Sequence, residues 1–146
     1  MTILNEIQHK HKGIIAEQAV SLEAIQRGWT VSIPIGNNAP YDLIIDTGSK
    51  LLKIQVKSAW YDSSKNNYMA NTRMSKTNRK IYKQVHYCEG DFDFAIIYVP
   101  DTKDFYIIPI TVFLSFKSSV LIQSPSAKRQ RKSRAAIYKN AWNLLS

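Results

Sequence analysis

Asp42, Gln55 and Lys57 have the types and the spacing to act together on a phosphate. Leu52, Ile54 and Val56 alternate with Lys53, Gln55 and Lys57, the pattern of a strand with one apolar and one polar face, so Gln55 and Lys57 point the same way. If Tyr41 to Asp46 and Leu51 to Ser58 form a hairpin through Thr47-Gly48-Ser49-Lys50, with Asp46 across from Leu51, then Asp42 stands opposite Gln55. Directly opposed residues have Cβ atoms about 5 Å apart, unless a β-bulge shifts the pairing. An acid, an amide oxygen and an ammonium then converge on one patch. Phosphodiester hydrolysis uses such a set: a hard cation polarises the phosphate and lowers the pKa of the attacking water. Mg²⁺, for which Mn²⁺ can substitute, prefers oxygen ligands and takes one or two carboxylates from the protein. Asp42 offers a carboxylate, Gln55 a neutral oxygen and Val56 its backbone carbonyl. Lys57 is suited to stabilise developing charge or to orient the water.

The elements that must position these groups follow from periodicity and turn residues. Ile14, Ile15, Ala19, Leu22 and Ile25 share one side of a helix from about Lys12 to Gln26, which Gly28 ends. Glu17 lies on the shoulder of that side and reaches the metal or its waters if the helix packs on the sheet. Thr30 to Pro34 reads as a short strand, and Phe92 to Val99 with Phe105 to Ile110 as a second hairpin. Tyr61 to about Ser75 reads as a loop or irregular ribbon, and Lys76 to His86, with Ile81 and Val85 four apart, as a helix. Ser133 can cap a last helix carrying Ile137, Ala141, Leu144 and Leu145 on one side. The order of elements indicates an α/β or α+β sheet flanked by helices, in one domain over 1–146.

Charge points to a polyanionic partner. Twenty Lys and Arg against eleven Asp and Glu give +9 over 146 residues, and such a field attracts nucleic acid. The excess gathers in 60–83 and in the C-terminal basic segment and helix at 128–146. Lys65, Asn66, Asn67, Tyr68, Asn71, Arg73, Lys76, Asn78, Arg79 and Lys80 are the candidate DNA contacts, being short, polar or basic. No apolar run reaches membrane-spanning length, so no membrane is expected. The N-terminus lacks the apolar core of a secretion signal. The single cysteine, Cys88, reads as a buried or incidental thiol and suits the cytoplasm. His9 and His11 read as solvated, and Trp29, Trp60 and Trp142 as core or interface anchors.

Lys12-Gly13, Ala16-Glu17, Pro40-Tyr41-Asp42 and Ile54-Gln55-Val56-Lys57-Ser58 together resemble the PD-(D/E)XK nuclease superfamily. The resemblance covers residues 12 to 58 well and extends more loosely through the second hairpin, giving a core of about 12–110. It implies an α/β fold, a restriction-endonuclease-like mixed β-sheet flanked by α-helices. It also implies catalytic roles for Glu17, Asp42, Gln55 and Lys57, with a divalent metal held by Asp42, Gln55, Val56 and Glu17. Gln55 departs from the usual Glu or Asp and implies weaker metal binding or lost activity, although glutamine occurs in active members.

Within the superfamily the chain looks most like the small group I intron-encoded homing endonucleases. The short chain, the Gln-X-Lys variant and the basic insertion carry that likeness. It implies a double-stranded DNA substrate with near-symmetric half-sites and a homo-oligomer, dimer or tetramer. The last helix, with Ile137, Ala141, Trp142, Leu144 and Leu145, is either the interface or packs back on its own sheet. A Holliday-junction resolvase, a restriction-type endonuclease and a catalytically weakened DNA-binding module are the alternatives.

Overall fold

The computed structural model describes residues 3–36, 38–77, 82–126 and 133–146. It opens with α1 (Ile3–Gln26). Ten strands follow among the described residues: β1 (Thr30–Ser32), β2 (Leu43–Asp46), β3 (Leu51–Ser58), β4 (Trp60–Asp62), β5 (Asn67–Asn71), β6 (Met74–Thr77), β7 (Tyr82–Val85), β8 (Phe94–Val99), β9 (Asp104–Pro109) and β10 (Ser119–Gln123). A single helical turn, α2 (Ile110–Phe113), joins β9 to β10. The main sheet runs β1-β2-β3-β8-β9, antiparallel except for the parallel β3–β8 pair. A smaller sheet, β10-β5-β4, belongs to the second of two cores. The mixed sheet with helices is the α/β architecture the sequence implies.

The strands β8 and β9 are buried on both faces, which explains apolar runs such as Phe94-Ala95-Ile96-Ile97-Tyr98-Val99. Ile54, Val56, Ile96 and Ile107 pack with α1 on one side. Ala95, Ile97, Val99 and Ile108 pack with Val120, Ile122 and Phe113 on the other.

The helix α1 begins at Ile3, well before Lys12, and presents a different side from the one the sequence suggests. Ala16, Val20 and Ala24 are fully buried, whereas Ile14, Ile15, Leu22 and Ile25 are 53 to 57% exposed. Both sets have helical spacing. The small residues face the sheet because they let the helix backbone approach it closely. Gly28, at φ +83°, ends the helix in a Schellman arrangement: the Gly28 N–H donates to Ile25 O at 2.9 Å and the Trp29 N–H to Ala24 O at 3.1 Å.

Three further expectations are corrected. The described residues of 76–86, which are 76–77 and 82–86, form no helix: β6 and β7 make an antiparallel ribbon, Met74 pairing with Val85 and Thr77 with Tyr82. The Ile81–Val85 spacing of four fits both a helical turn and a two-residue alternation, and the β-branched and aromatic content decides for strand. The stretch 61–75 is likewise ordered as β4, β5 and the start of β6. At the C-terminus, two 3₁₀ turns, Ala136–Tyr138 and Trp142–Leu144, replace the expected helix. Asn140 breaks it, with φ at +50°. Its N–H donates to Phe105 O at 2.6 Å and its side-chain oxygen accepts from Phe105 N at 2.9 Å, which ties the tail to β9. Trp142 and Leu145 are thereby buried in the α1-side core, so they are no free interface, although Ile137 is 78% exposed.

Candidate active site

The β2–β3 hairpin has the register expected from its sequence. Asp46 pairs with Leu51 and Leu43 with Ile54, around a turn in which Gly48 adopts φ +91° and its N–H donates to the Asp46 carboxylate at 2.8 Å. Asp42 sits one residue before β2, and its N–H donates to Ile54 O at 2.8 Å. Its Oδ2 accepts from two donors of β3, Gln55 Nε2 and the Val56 N–H, each at 2.8 Å. The carboxylate is therefore fixed by backbone and side chain together.

Gln55 is buried, and its Nε2 also donates to the Val56 carbonyl at 3.3 Å. The positive end of the amide dipole thus bridges two oxygens, Asp42 Oδ2 and Val56 O. These are two of the acceptors a divalent cation would take. A half-turn of the amide about its Cγ–Cδ bond would present Oε1 at the same point, and that torsion is soft. Glu17 comes from the side of α1 that flanks the buried small residues. It lines one cleft of about 350 Å³ with Asp42, Tyr41, Ile33, Pro34 and Ala39.

Burial raises the carboxyl pKa of both acids. For Glu17 the nearby Asp42 adds to the rise. For Asp42 the Val56 N–H and the charge of Lys57 pull the other way. Two carboxyl groups pushed toward protonation make a place where positive charge is favourable. Lys57 is half-buried. Burial lowers its amine to about 8, against the opposing pull of Asp42. The ammonium donates to the Arg73 backbone carbonyl at 3.0 Å and lies 5.0 Å from the centre of the Tyr87 ring.

The donor set fits a hard cation. Two carboxylates, an amide and a backbone carbonyl are all oxygen donors, and among the described residues no cluster of three or more His, Cys, Asp and Glu competes with them. Tyr87 and the Arg73 carbonyl were not legible as site groups. They reach Lys57 only through the fold, and no linear spacing marks them.

The candidate DNA contacts separate. Lys65 is exposed and Asn66 forms the β4–β5 turn at φ +51°, accepting from the Tyr61 hydroxyl. Asn67 and Asn71 are engaged in the fold: Asn67 Oδ1 accepts from Ser124 N at 3.0 Å and Asn71 Oδ1 from Arg73 N at 2.8 Å. Tyr68 is buried and its hydroxyl donates to Asp101 at 2.9 Å, which assigns it to the core rather than to a DNA surface. Arg73 is half-buried beside Lys57, and Lys76 lies in β6. Asn78, Arg79 and Lys80 lie outside the described residues, as do Lys128, Arg129, Arg131 and Lys132. Cys88 is exposed rather than buried.

A sequence model of the PD-(D/E)XK endonuclease family matches residues 7–145. Among solved structures, the chain is similar to that of a bacterial homing endonuclease, I-Ssp6803I. The TM-score is 0.85 and the identity 41%, over 93% of this chain and 91% of that one. No curated protein gives a significant match.

Proposed function

The chain belongs to the PD-(D/E)XK endonuclease family, and from that premise we propose that it is a site-specific, homing-type endonuclease that cuts double-stranded DNA with Mg²⁺, or Mn²⁺ in its place. The observation that carries the site assignment is the convergence of Asp42, Gln55 and Val56 oxygen and amide groups within hydrogen-bond reach of one another, with Glu17 in the same cleft.

Asp42, Glu17, the Val56 carbonyl and a rotated Gln55 amide are the groups that would hold the cation. When bound, it would polarise the phosphate and supply a more acidic water. Asp42 keeps the Val56 N–H when the Gln55 amide turns, so its carboxylate stays in place as the substrate arrives. Lys57 carries its charge at neutral pH and faces the same patch, where it offsets negative charge building on the phosphate oxygens. Its anchoring to the Arg73 carbonyl keeps the ammonium on the site rather than in solvent.

The β6–β7 ribbon supports sequence reading: a two-stranded ribbon fits the major groove, and Lys76 and Lys83 are paired across it. Homing type also draws on the similarity to I-Ssp6803I. One site per chain cuts one strand, so two copies are proposed to act together on near-symmetric half-sites, as a dimer or tetramer. A DNA substrate and a single cysteine suit the cytoplasm.

Incubation with a duplex library, with and without Mg²⁺, tests this reading. Cleavage at a defined sequence is expected with the metal, and Asp42→Ala should reduce it by about 10²–10³ or more while DNA binding persists. Cutting that survives excess chelator, or an Asp42→Ala protein of undiminished rate, would remove the proposed site. Preference for four-way junctions over linear duplex would favour the resolvase alternative.

A further inference from the structure

Lys57 stands between the two roots of the β6–β7 ribbon. Met74 and Val85 close the ribbon as its first pair, with Arg73 one residue before it and Tyr87 two residues after it. From one root the Arg73 carbonyl accepts from the ammonium at 3.0 Å. From the other the Tyr87 ring lies under the ammonium, its centroid 5.0 Å from Nζ. A cation within about 6 Å of a ring centroid is drawn to the negative face of the ring, the more so when partly desolvated. Lys57 forms no ion pair among the described residues, so the carbonyl and the ring are what hold its charged end.

The ring is itself firmly placed. Tyr87 is 6% exposed and packs edge-on against Phe92 at 5.1 Å and tilted against Phe113 at 6.2 Å. The turn that follows it is bonded to the strand that carries Lys57. The Lys53 N–H donates to Asp93 Oδ2 and the Asp93 N–H to Lys53 O, each at 2.8 Å, and the Lys53 ammonium donates to Gly90 O at 2.5 Å. Burial, with Asp42 and Asp91 nearby, pushes the Tyr87 hydroxyl well above its ordinary range, so it stays un-ionised. Tyr87 therefore meets Lys57 through its ring, neither as a base nor as a counter-ion.

We propose that Tyr87 is a positioning residue for cleavage: its ring, together with the Arg73 carbonyl, keeps the Lys57 ammonium on the patch shared with Asp42 and Gln55. It acts through Lys57 and touches neither the phosphate nor the cation. Filling the core asks only for apolar volume at this position, whereas holding a cation asks for an aromatic face. The two holds are the two roots of the ribbon, so the element proposed to read the groove and the group that acts on the phosphate share one base. The inference rests on the reading of Lys57 as the group that offsets charge on the phosphate.

The test separates the electrostatics of the ring from its packing. In the full chain, Tyr87 is replaced by Leu, by Phe, and by phenylalanines of increasing ring fluorination introduced by nonsense suppression. Fluorine keeps the shape of the ring and weakens its negative face. Circular dichroism checks that each variant folds. Tyr87→Leu should lower the single-turnover rate at saturating DNA about tenfold or more, while DNA affinity stays within about twofold. Tyr87→Phe should restore most of that rate, and the rate should then fall stepwise with fluorination. In a Lys57→Met background the same changes should have no further effect. A second readout needs neither metal nor DNA. With isotope-labelled lysine, the Lys57 side-chain resonance, assigned by its absence in Lys57→Met, should be shifted upfield by the ring and return toward the other lysines in Tyr87→Leu. A rate indifferent to fluorination, a Tyr87→Leu loss that persists without Lys57, or a Lys57 resonance unmoved by Tyr87→Leu would each overturn the proposal. Lys57→Met cutting at the wild-type rate would instead remove Lys57 from the site, and the proposal with it.

Discussion

Lys57 should make the fold less stable than an apolar residue in its place would. Its ammonium titrates at about 8 in the folded protein against an ordinary 10.5, because burial disfavours the charge. A gap of about 2.5 units corresponds to about 3 kcal/mol. The folded value lies below the unfolded one, so the unfolded chain binds more protons between about pH 8 and 10.5, and stability rises with pH across that window. Below about 8 both states carry the charge and the penalty is present in full. Lys57→Met keeps the stem and removes the charge, but it leaves the Arg73 carbonyl without the donor now at 3.0 Å, a loss of about 1–2 kcal/mol. The net gain at pH 7 is then about 1–2 kcal/mol, or about 3–6 °C in Tm. Cleavage should meanwhile fall by about 10²–10³ or more. Urea titrations at pH 7 and pH 10.5 measure the first effect: Lys57→Met should be the more stable at pH 7, with the advantage gone or reversed at the higher pH. A variant less stable than wild type at pH 7, or an advantage independent of pH, would refute the reasoning.

Gln55→Glu should bind Mg²⁺ or Ca²⁺ about tenfold tighter by calorimetry, since a carboxylate, the third beside those of Asp42 and Glu17, replaces the amide now donating to Asp42. The same variant should be less stable without metal, two like charges then standing where a hydrogen bond was, and equal affinity and stability would argue against a shared cation site. Asn140→Ala should lower stability by about 1–2 kcal/mol in urea, because it removes the bonds to Phe105 N and Asp104 Oδ1 and leaves at φ +50° a residue that tolerates the left-handed region less well than Asn. Asn140→Gly should recover the backbone part only. An Asn140→Ala protein as stable as wild type would show that the tail is held by Trp142 and Leu145 alone.

The core of the candidate site was legible because it is local. Asp42, Gln55 and Lys57 lie on adjoining strands of one hairpin, and the turn at Gly48 sets the register without help from the rest of the chain. Elsewhere the linear pattern was ambiguous in ways only packing resolves. A spacing of four at Ile81 and Val85 is compatible with either period. In the tail, apolar spacing suggested a helix, while Asn140 takes a left-handed conformation whose partners, Phe105 and Asp104, are far away in sequence. Tyr68 looked like a polar, DNA-facing residue because nothing local announces Asp101 as the partner of its hydroxyl.

The helix α1 shows why its two apolar sides could not be told apart by hydrophobicity alone. Counting methyl groups favours Ile14, Ile15, Leu22 and Ile25 for the core, yet the sheet takes Ala16, Val20 and Ala24. Close approach of the helix is what lets Glu17, on the flank of the small side, enter the cleft of Asp42. Had the large residues faced inward, the helix would stand further from β3 and its carboxylate would turn with it, away from that position. The site therefore requires small residues beneath the helix, and the large ones are left for another surface. The other flank of the site has a similar logic: Lys57 leans on the Arg73 carbonyl, which lies between β5 and β6. A displaced β5–β6 connection would release the ammonium toward solvent, so this stretch of chain and the groups around Asp42 act as one structural unit.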